Sequence, residues 1–180
     1  KGKKNLLLIK KRKIPAIFFS AHLANWEVAP MTAIKNNIPV LTIFRKPNNP
    51  FVSLLLKFFR SNVPLTPKGT EGAKQLIRSL RKGISIGLIV DQKMNDGIEV
   101  PFFKKPAMTA PAVAQLALKI KTLVIPVQIE RVKKTNFVVT FHNPLKINKN
   151  GKQKTVLEIM TEVNLLIEKW IRKRPEQWFW

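Results

Sequence analysis

Short apolar runs alternate with helix-period stretches along almost the whole chain, and that alternation leaves one class of fold open. A run such as Ile14–Ser20 is continuously apolar rather than alternating, as in a strand covered on both faces. Strands of that kind belong to parallel sheets flanked by helices. Reading on in this way, strands are expected at Ile14–Ser20, Val40–Arg45, Ile84–Val90 and Leu123–Glu130, with Asn136–Phe141 as the antiparallel partner of the last. Helices are expected at Trp26–Lys35, Asn49–Arg60, Glu71–Arg81, Thr109–Lys119 and Thr155–Arg172, and a long loop over Asp91–Met108. The expected fold is α/β, a central, largely parallel or mixed sheet flanked by helices, in a single domain over residues 1–180. That length supports one buried core and not two.

In open sheets of this class ligand groups gather beyond the carboxyl ends of the strands. Three polar segments fall at such ends: Ser20-Ala21-His22, Arg45 to Asn49, and Asp91-Gln92. The first of these carries the clearest chemistry. The chain has 2 histidines, and Glu27, five positions after His22, is the only carboxylate before Glu71. Along a continuous helix five residues turn about 140° and separate two side chains. If His22 precedes the helix and Glu27 sits in its first turn, the imidazole can reach the carboxylate, and the carboxylate suits the positive helix terminus. A carboxylate holding one imidazole nitrogen leaves the other as a general base near neutral pH.

Charge narrows the partners. With 33 Lys+Arg against 10 Asp+Glu the net charge is +23, which implies an anionic partner: nucleic acid, an anionic membrane surface or an acidic protein. Nucleic acid is disfavoured, because the basic residues are dispersed, Tyr is absent, and no zinc, helix-turn-helix or RNA-platform motif occurs. The absence of Cys removes disulfides, thiolate metal sites and a Cys nucleophile together, and no metal site is expected. No apolar stretch reaches the ~18 residues of a membrane span. The apolar run Leu6–Ile9 ends at Lys10-Lys11-Arg12-Lys13 with no small-residue cleavage site, unlike a signal peptide.

The block Ala21-His22-Leu23-Ala24-Asn25-Trp26-Glu27-Val28 resembles the signature of the bacterial lipid A biosynthesis acyltransferases, the late lauroyl/myristoyl transferases. The resemblance continues in order through Phe44-Arg45-Lys46-Pro47-Asn48-Asn49-Pro50, Arg60, Lys82-Gly83, Asp91-Gln92, Val100-Pro101-Phe102-Phe103, Pro106-Ala107-Met108-Thr109, Val124-Ile125-Pro126, Arg131 and Pro175-Glu176-Gln177-Trp178-Phe179-Trp180. It implies a glycerolipid-acyltransferase-like fold and transfer of a fatty acyl group from acyl carrier protein to a hydroxyl of a lipid A precursor. A related acyltransferase acting on a glycerophospholipid or glycolipid is the alternative. In this family a hydrophobic anchoring segment usually precedes the matched region and a short His/Arg-containing tail follows it, so the sequence is expected to be truncated at both ends.

The resemblance gives the remaining residues their expected roles. His22 takes the hydroxyl proton while Glu27 fixes the imidazole and stabilises it once charged, with no covalent acyl-enzyme; Ser20 reads as a small residue ending a strand. Arg45 holds a phosphate or an oxyanion. Asn49 caps the following helix or binds substrate. Arg60 and Arg131 contact phosphate or sugar-acid groups, or are surface charges. Asp91 with Gln92 binds substrate or organises the loop that follows. Phe51, Leu55 and Phe58, on a segment apolar nearly all round, line an acyl groove, dip into the bilayer or form core; Phe102 and Phe103 border the acyl site or pack beneath their loop. His142, with no nearby carboxylate, is expected to be structural. No cofactor is expected beyond the acyl carrier protein thioester as co-substrate. The expected partners are acyl carrier protein, the lipid A precursor and the anionic surface of the inner membrane, at its cytoplasmic face.

Overall fold

The computed structural model describes residues 1–44, 49, 51, 54–55, 63–67 and 69–180. In chain order the elements are α1 (Lys3–Arg12), β1 (Ala16–Ser20), α2 (Val28–Lys35), β2 (Val40–Phe44), β3 (Leu65–Pro67), α3 (Thr70–Arg81) and β4 (Ser85–Ile89). They continue with β5 (Ile98–Phe102), β6 (Lys105–Thr109), α4 (Ala112–Ile120), β7 (Leu123–Lys133), β8 (Asn136–Phe141), β9 (Asn148–Lys149), β10 (Lys152–Gln153) and α5 (Val156–Lys173). The 6-stranded sheet has the order β3-β2-β4-β1-β7-β8. All its pairs are parallel except β7 with β8. The fold is therefore α/β with a mixed, mostly parallel sheet, and no helix among the described residues is long and apolar enough to cross a membrane.

The period of two along β1 splits the core in half. Ile17 and Phe19 point into a cluster with Leu76 and Leu80 of α3, Val113 and Ala117 of α4, and the buried side of α5. Ala16 and Phe18 point the other way, into a cluster with Leu6 and Ile9 of α1 and Ala33 of α2. Every residue of β1 is buried, which is why its sequence is continuously apolar. The longest helix, α5, begins at a reciprocal capping box, with Thr155 Oγ1 accepting from Glu158 N and the Glu158 carboxylate accepting from Thr155 N. Ile159, Val163 and Ile167, each at most 1% exposed, carry its inner face. Each contributes about 1.5–3 kcal/mol of burial, and truncating one to Ala costs about 2–5 kcal/mol.

Besides the short strands β3, β9 and β10, which the sequence reading does not include, three elements differ from it. Asp91–Met108 is not a continuous loop: from Ile98 it forms the β5–β6 hairpin, in register to Phe102↔Lys105. The two turn residues, Phe103 and Lys104, both have positive φ (50° and 64°), the combination that hairpin twist demands but that Gly or Asn usually supplies. The hairpin is held on α5, where Asn164 Nδ2 donates to Pro101 O (3.1 Å) and Phe103 N to Glu168 Oε1 (2.8 Å). The N-terminal basic and apolar run is helix α1, with Asn5, Leu6 and Ile9 buried on one face and Asn5 Nδ2 donating to Phe141 O at 2.8 Å. Strand β7 runs past Glu130 to Lys133, with a register shift between Arg131 and Lys133. The helix expected over Asn49–Arg60 lies mostly outside the described residues.

Candidate functional site

The register of β1 with β4 creates the site. Ser20 pairs with Ile89, and Val90 N donates to Ser20 O at 3.1 Å, so His22 and Asp91 leave neighbouring strands side by side at their carboxyl ends. Asp91 Oδ1 lies 2.7 Å from His22 Nδ1, and Asp91 Oδ2 accepts from the His22 backbone N at 2.9 Å. The Asp91 side chain is 0% exposed and that of His22 18%, so the carboxylate is enclosed while the imidazole keeps an opening. A third donor, Trp178 Nε1, meets Asp91 Oδ2 at 2.9 Å. With Nδ1–H committed to Asp91, the proton-accepting lone pair of the neutral ring is on Nε2. Trp180 Nε1 also approaches Nδ1, at 3.4 Å, but a nitrogen that donates to Asp91 has no lone pair to receive it; the 2.7 Å contact defines the tautomer.

The nitrogen that the sequence reading gives to Glu27 is thus occupied by Asp91. Glu27 is the residue before α2, in helical conformation (φ −63°, ψ −24°), and its N–H donates to Asn25 Oδ1 at 3.2 Å. It follows Trp26, whose ring meets the His22 imidazole edge-on at 4.8 Å. Ala24 has φ 51° and turns the chain between His22 and α2, so that residues 22–24 run antiparallel to the C-terminal segment. There Leu23 bridges Trp178, Ala24 N donates to Gln177 O (2.8 Å) and Phe179 N to His22 O (3.0 Å). Trp180 (5.6 Å, edge-on) and Phe179 (6.4 Å) complete an aromatic collar about the imidazole.

The other candidates are dispersed. Gln92, next to Asp91, is exposed. Phe102 and Phe103 stand 6.1 and 6.3 Å from the Trp178 ring. Arg131 lies at the end of β7, its guanidinium donating to Lys134 O (3.0 Å) and resting on the Phe137 ring, while its backbone N and O each bond the Gln177 side chain at 2.9 Å. Asn49 Oδ1 accepts from Phe51 N at 2.9 Å, the contact of a helix-capping residue. Phe51 and Leu55 are 81% and 56% exposed. Arg45, Phe58 and Arg60 lie outside the described residues. Among the described residues no group of 3 or more His, Cys, Asp or Glu converges as a metal site would.

His142 stacks on Trp170 (5.5 Å, 19°) and faces Gln128 Oε1 at 3.2 Å. Burial holds its pKa below the ordinary 6.5, against the charge of Glu130, which raises it, and with that of Lys169, which lowers it. Trp178 carries no expected individual role in the sequence reading, and Asp91 is there a substrate or loop residue. The usable signal for Asp91 was its position at a predicted strand end, as for His22.

The family described as bacterial lipid A biosynthesis acyltransferase matches this chain over residues 1–180, its full length. No curated protein matches it.

Proposed function

The chain belongs to the bacterial lipid A biosynthesis acyltransferase family and is an acyltransferase of lipid A biosynthesis; we propose that it moves a fatty acyl group from an acyl carrier protein thioester onto a hydroxyl of a lipid A precursor, with His22 as general base. The observation that carries the mechanism is the 2.7 Å contact between His22 Nδ1 and the enclosed Asp91 carboxylate. As the acceptor oxygen attacks the thioester carbonyl, its proton passes to His22 Nε2. Collapse of the tetrahedral intermediate breaks the carbon–sulfur bond and releases the carrier thiolate, which takes that proton from His22 Nε2. Asp91 keeps the ring in the Nδ1–H tautomer and stabilises the imidazolium that forms, the part a carboxylate plays in a hydrolase triad. Glu27, beside Trp26 at the start of α2, supplies a second negative charge to the same imidazolium. The collar of Trp26, Phe179 and Trp180 keeps water from competing with the acceptor hydroxyl.

Charge supports the rest of the reading. The net charge of +23 suits three anionic partners at once: a phosphorylated acceptor, an acidic carrier protein and the anionic lipid of the cytoplasmic face of the inner membrane. Arg45 is proposed to hold an acceptor phosphate. The test offers the protein a mixture of acceptors, a lipid A precursor and a glycerophosphate lipid, with acyl carrier protein or coenzyme A thioesters as donors, and weighs the products. A precursor heavier by one acyl unit, made from the carrier thioester, is the expected result. Acylation of the glycerophosphate lipid instead would move the protein to the alternative acceptor class.

A further inference from the structure

Building on the His22–Asp91 reading, we infer that Trp178 is a positioning residue of the site: its indole N–H fixes the plane of the Asp91 carboxylate so that Oδ1 is presented to His22. The Asp91 carboxylate is enclosed (0% exposed), and among the described residues its hydrogen-bond partners are three N–H donors: His22 Nδ1 on Oδ1, and His22 N and Trp178 Nε1 on Oδ2. His22 is the only ionisable group in that set, and Glu27 follows the ring that packs on it. Without Trp178 the carboxylate would be held by His22 alone, through its ring on Oδ1 and its backbone on Oδ2, and could shift together with that residue. The Trp178 N–H, from a different chain segment, fixes the carboxylate independently of His22. The indole N–H is a donor and never an acceptor, which suits the acceptor oxygens of the carboxylate.

Trp178 is itself held with respect to His22. Its bridge to Leu23 and the bonds from Ala24 N to Gln177 O and from Phe179 N to His22 O pair the C-terminal segment with the segment that carries the base. The two bonds between the Gln177 side chain and the Arg131 backbone pin that segment to the end of β7. The ring sits against Phe102 and Phe103, which set its tilt. Three parts of the chain remote in sequence thus close on one carboxylate, and the Trp178 N–H is the link from the C-terminal segment to the charge.

The test removes the N–H and keeps the shape. Trp178 is replaced by benzothienylalanine, in which sulfur stands for N–H, with Trp178→Phe as a second variant. Two readouts are taken: the proton resonance of the His22 Nδ1–H, and kcat and KM for acyl transfer. In the native protein that resonance is expected far downfield, given the short contact to a carboxylate. In both variants it is expected to move upfield or broaden, while the signals of His142, the only other histidine, stay in place. The variants are expected to lose about ten- to a hundredfold in kcat with KM within about twofold, the size of one lost bond to a charged group. An unshifted Nδ1–H signal in the folded analogue would overturn the positioning role, whatever the activity. The resonance decides this point even if the acyl transfer reading fails, and an unchanged kcat beside a shifted signal would overturn its relevance to turnover.

Discussion

Replacing Asp91 by Asn tests the site at its most constrained atom. Three N–H donors converge on the two carboxylate oxygens, with two of them on Oδ2. An amide has one oxygen, so the orientation that satisfies the most donors puts that oxygen where Oδ2 stands, facing His22 N and Trp178 Nε1. Its NH2 then faces His22 Nδ1 and requires that nitrogen to accept. The ring is driven to the other tautomer, with its proton on Nε2, where the base should be. Volume and two of the three bonds survive, so the fold is retained while the proton acceptor is lost. In the Ser-His-Asp triad the same tautomer error costs about 10⁴ in kcat, or about 5 kcal/mol of transition-state stabilisation. A fall of about 10³–10⁴-fold is expected here, read as single-turnover formation of acylated acceptor, with nitrogen chemical shifts of His22 reporting the inverted tautomer. A folded Asp91→Asn protein within tenfold of the native rate would refute the argument, and so would a ring still protonated on Nδ1.

Glu27→Gln is expected to slow transfer by less, about tenfold, the size of one lost charge interaction of about 1.4 kcal/mol, because the imidazole nitrogen that needs a carboxylate is already on Asp91; a loss equal to that of Asp91→Asn would reverse the ranking. Since burial lowers the His142 pKa, the unfolded chain binds its proton more readily, so His142 contributes stability above pH 6.5 that is lost as pH falls below it. His142→Phe, which keeps the stack on Trp170, should flatten the fall in melting temperature between pH 7 and 5, and an unchanged slope would contradict this. Thr155→Ala removes a capping box and should cost about 1 kcal/mol by urea denaturation at constant m-value. Hydrogen bonds from Thr155 hold the Glu158 carboxyl below its ordinary pKa, so the cap is fully present above pH 4.5 and fades as pH drops; the variant should lose that acid dependence as well. Gly72→Ala would bring a Cβ to 1.8 Å from Pro67 O and should destabilise the α3–β3 contact by about 3 kcal/mol, which calorimetry would read.

What the sequence disclosed follows from which interactions are local. β1 and the first part of β7 were legible because burial on both faces leaves a largely apolar run, and β4 because Ile84–Val90 is apolar apart from Ser85 and Gly87. α5 was legible because apolar residues recur at helical spacing through Thr155–Arg172, among them Ile159, Val163 and Ile167. The β5–β6 hairpin was not, because its turn uses Phe103 and Lys104 at positive φ where the recognisable signal is Gly or Asn. β3 is three residues long and ends in Pro67, and α1 shares its composition with a leader-like run. At the site, strand-end reasoning put His22 and Asp91 in the same region. Their pairing depends on β4 lying beside β1, a long-range fact that the spacing of His22 and Glu27 obscured. The third member of the cluster, Trp178, lies 87 residues from Asp91, and only the assembled sheet brings its N–H there.

The central claim is that the His22 imidazole, held by Asp91, takes the proton of an acceptor hydroxyl. The most direct test is a single-turnover reaction of His22→Ala beside the native protein, with a carrier-bound acyl thioester and a lipid A precursor, products weighed by mass spectrometry and the fold checked by circular dichroism. The account predicts that the native protein adds one acyl unit to the precursor and that the folded variant adds it at least about 10³-fold more slowly, as loss of a general base entails. A folded His22→Ala protein that acylates the precursor at near-native rate would contradict it.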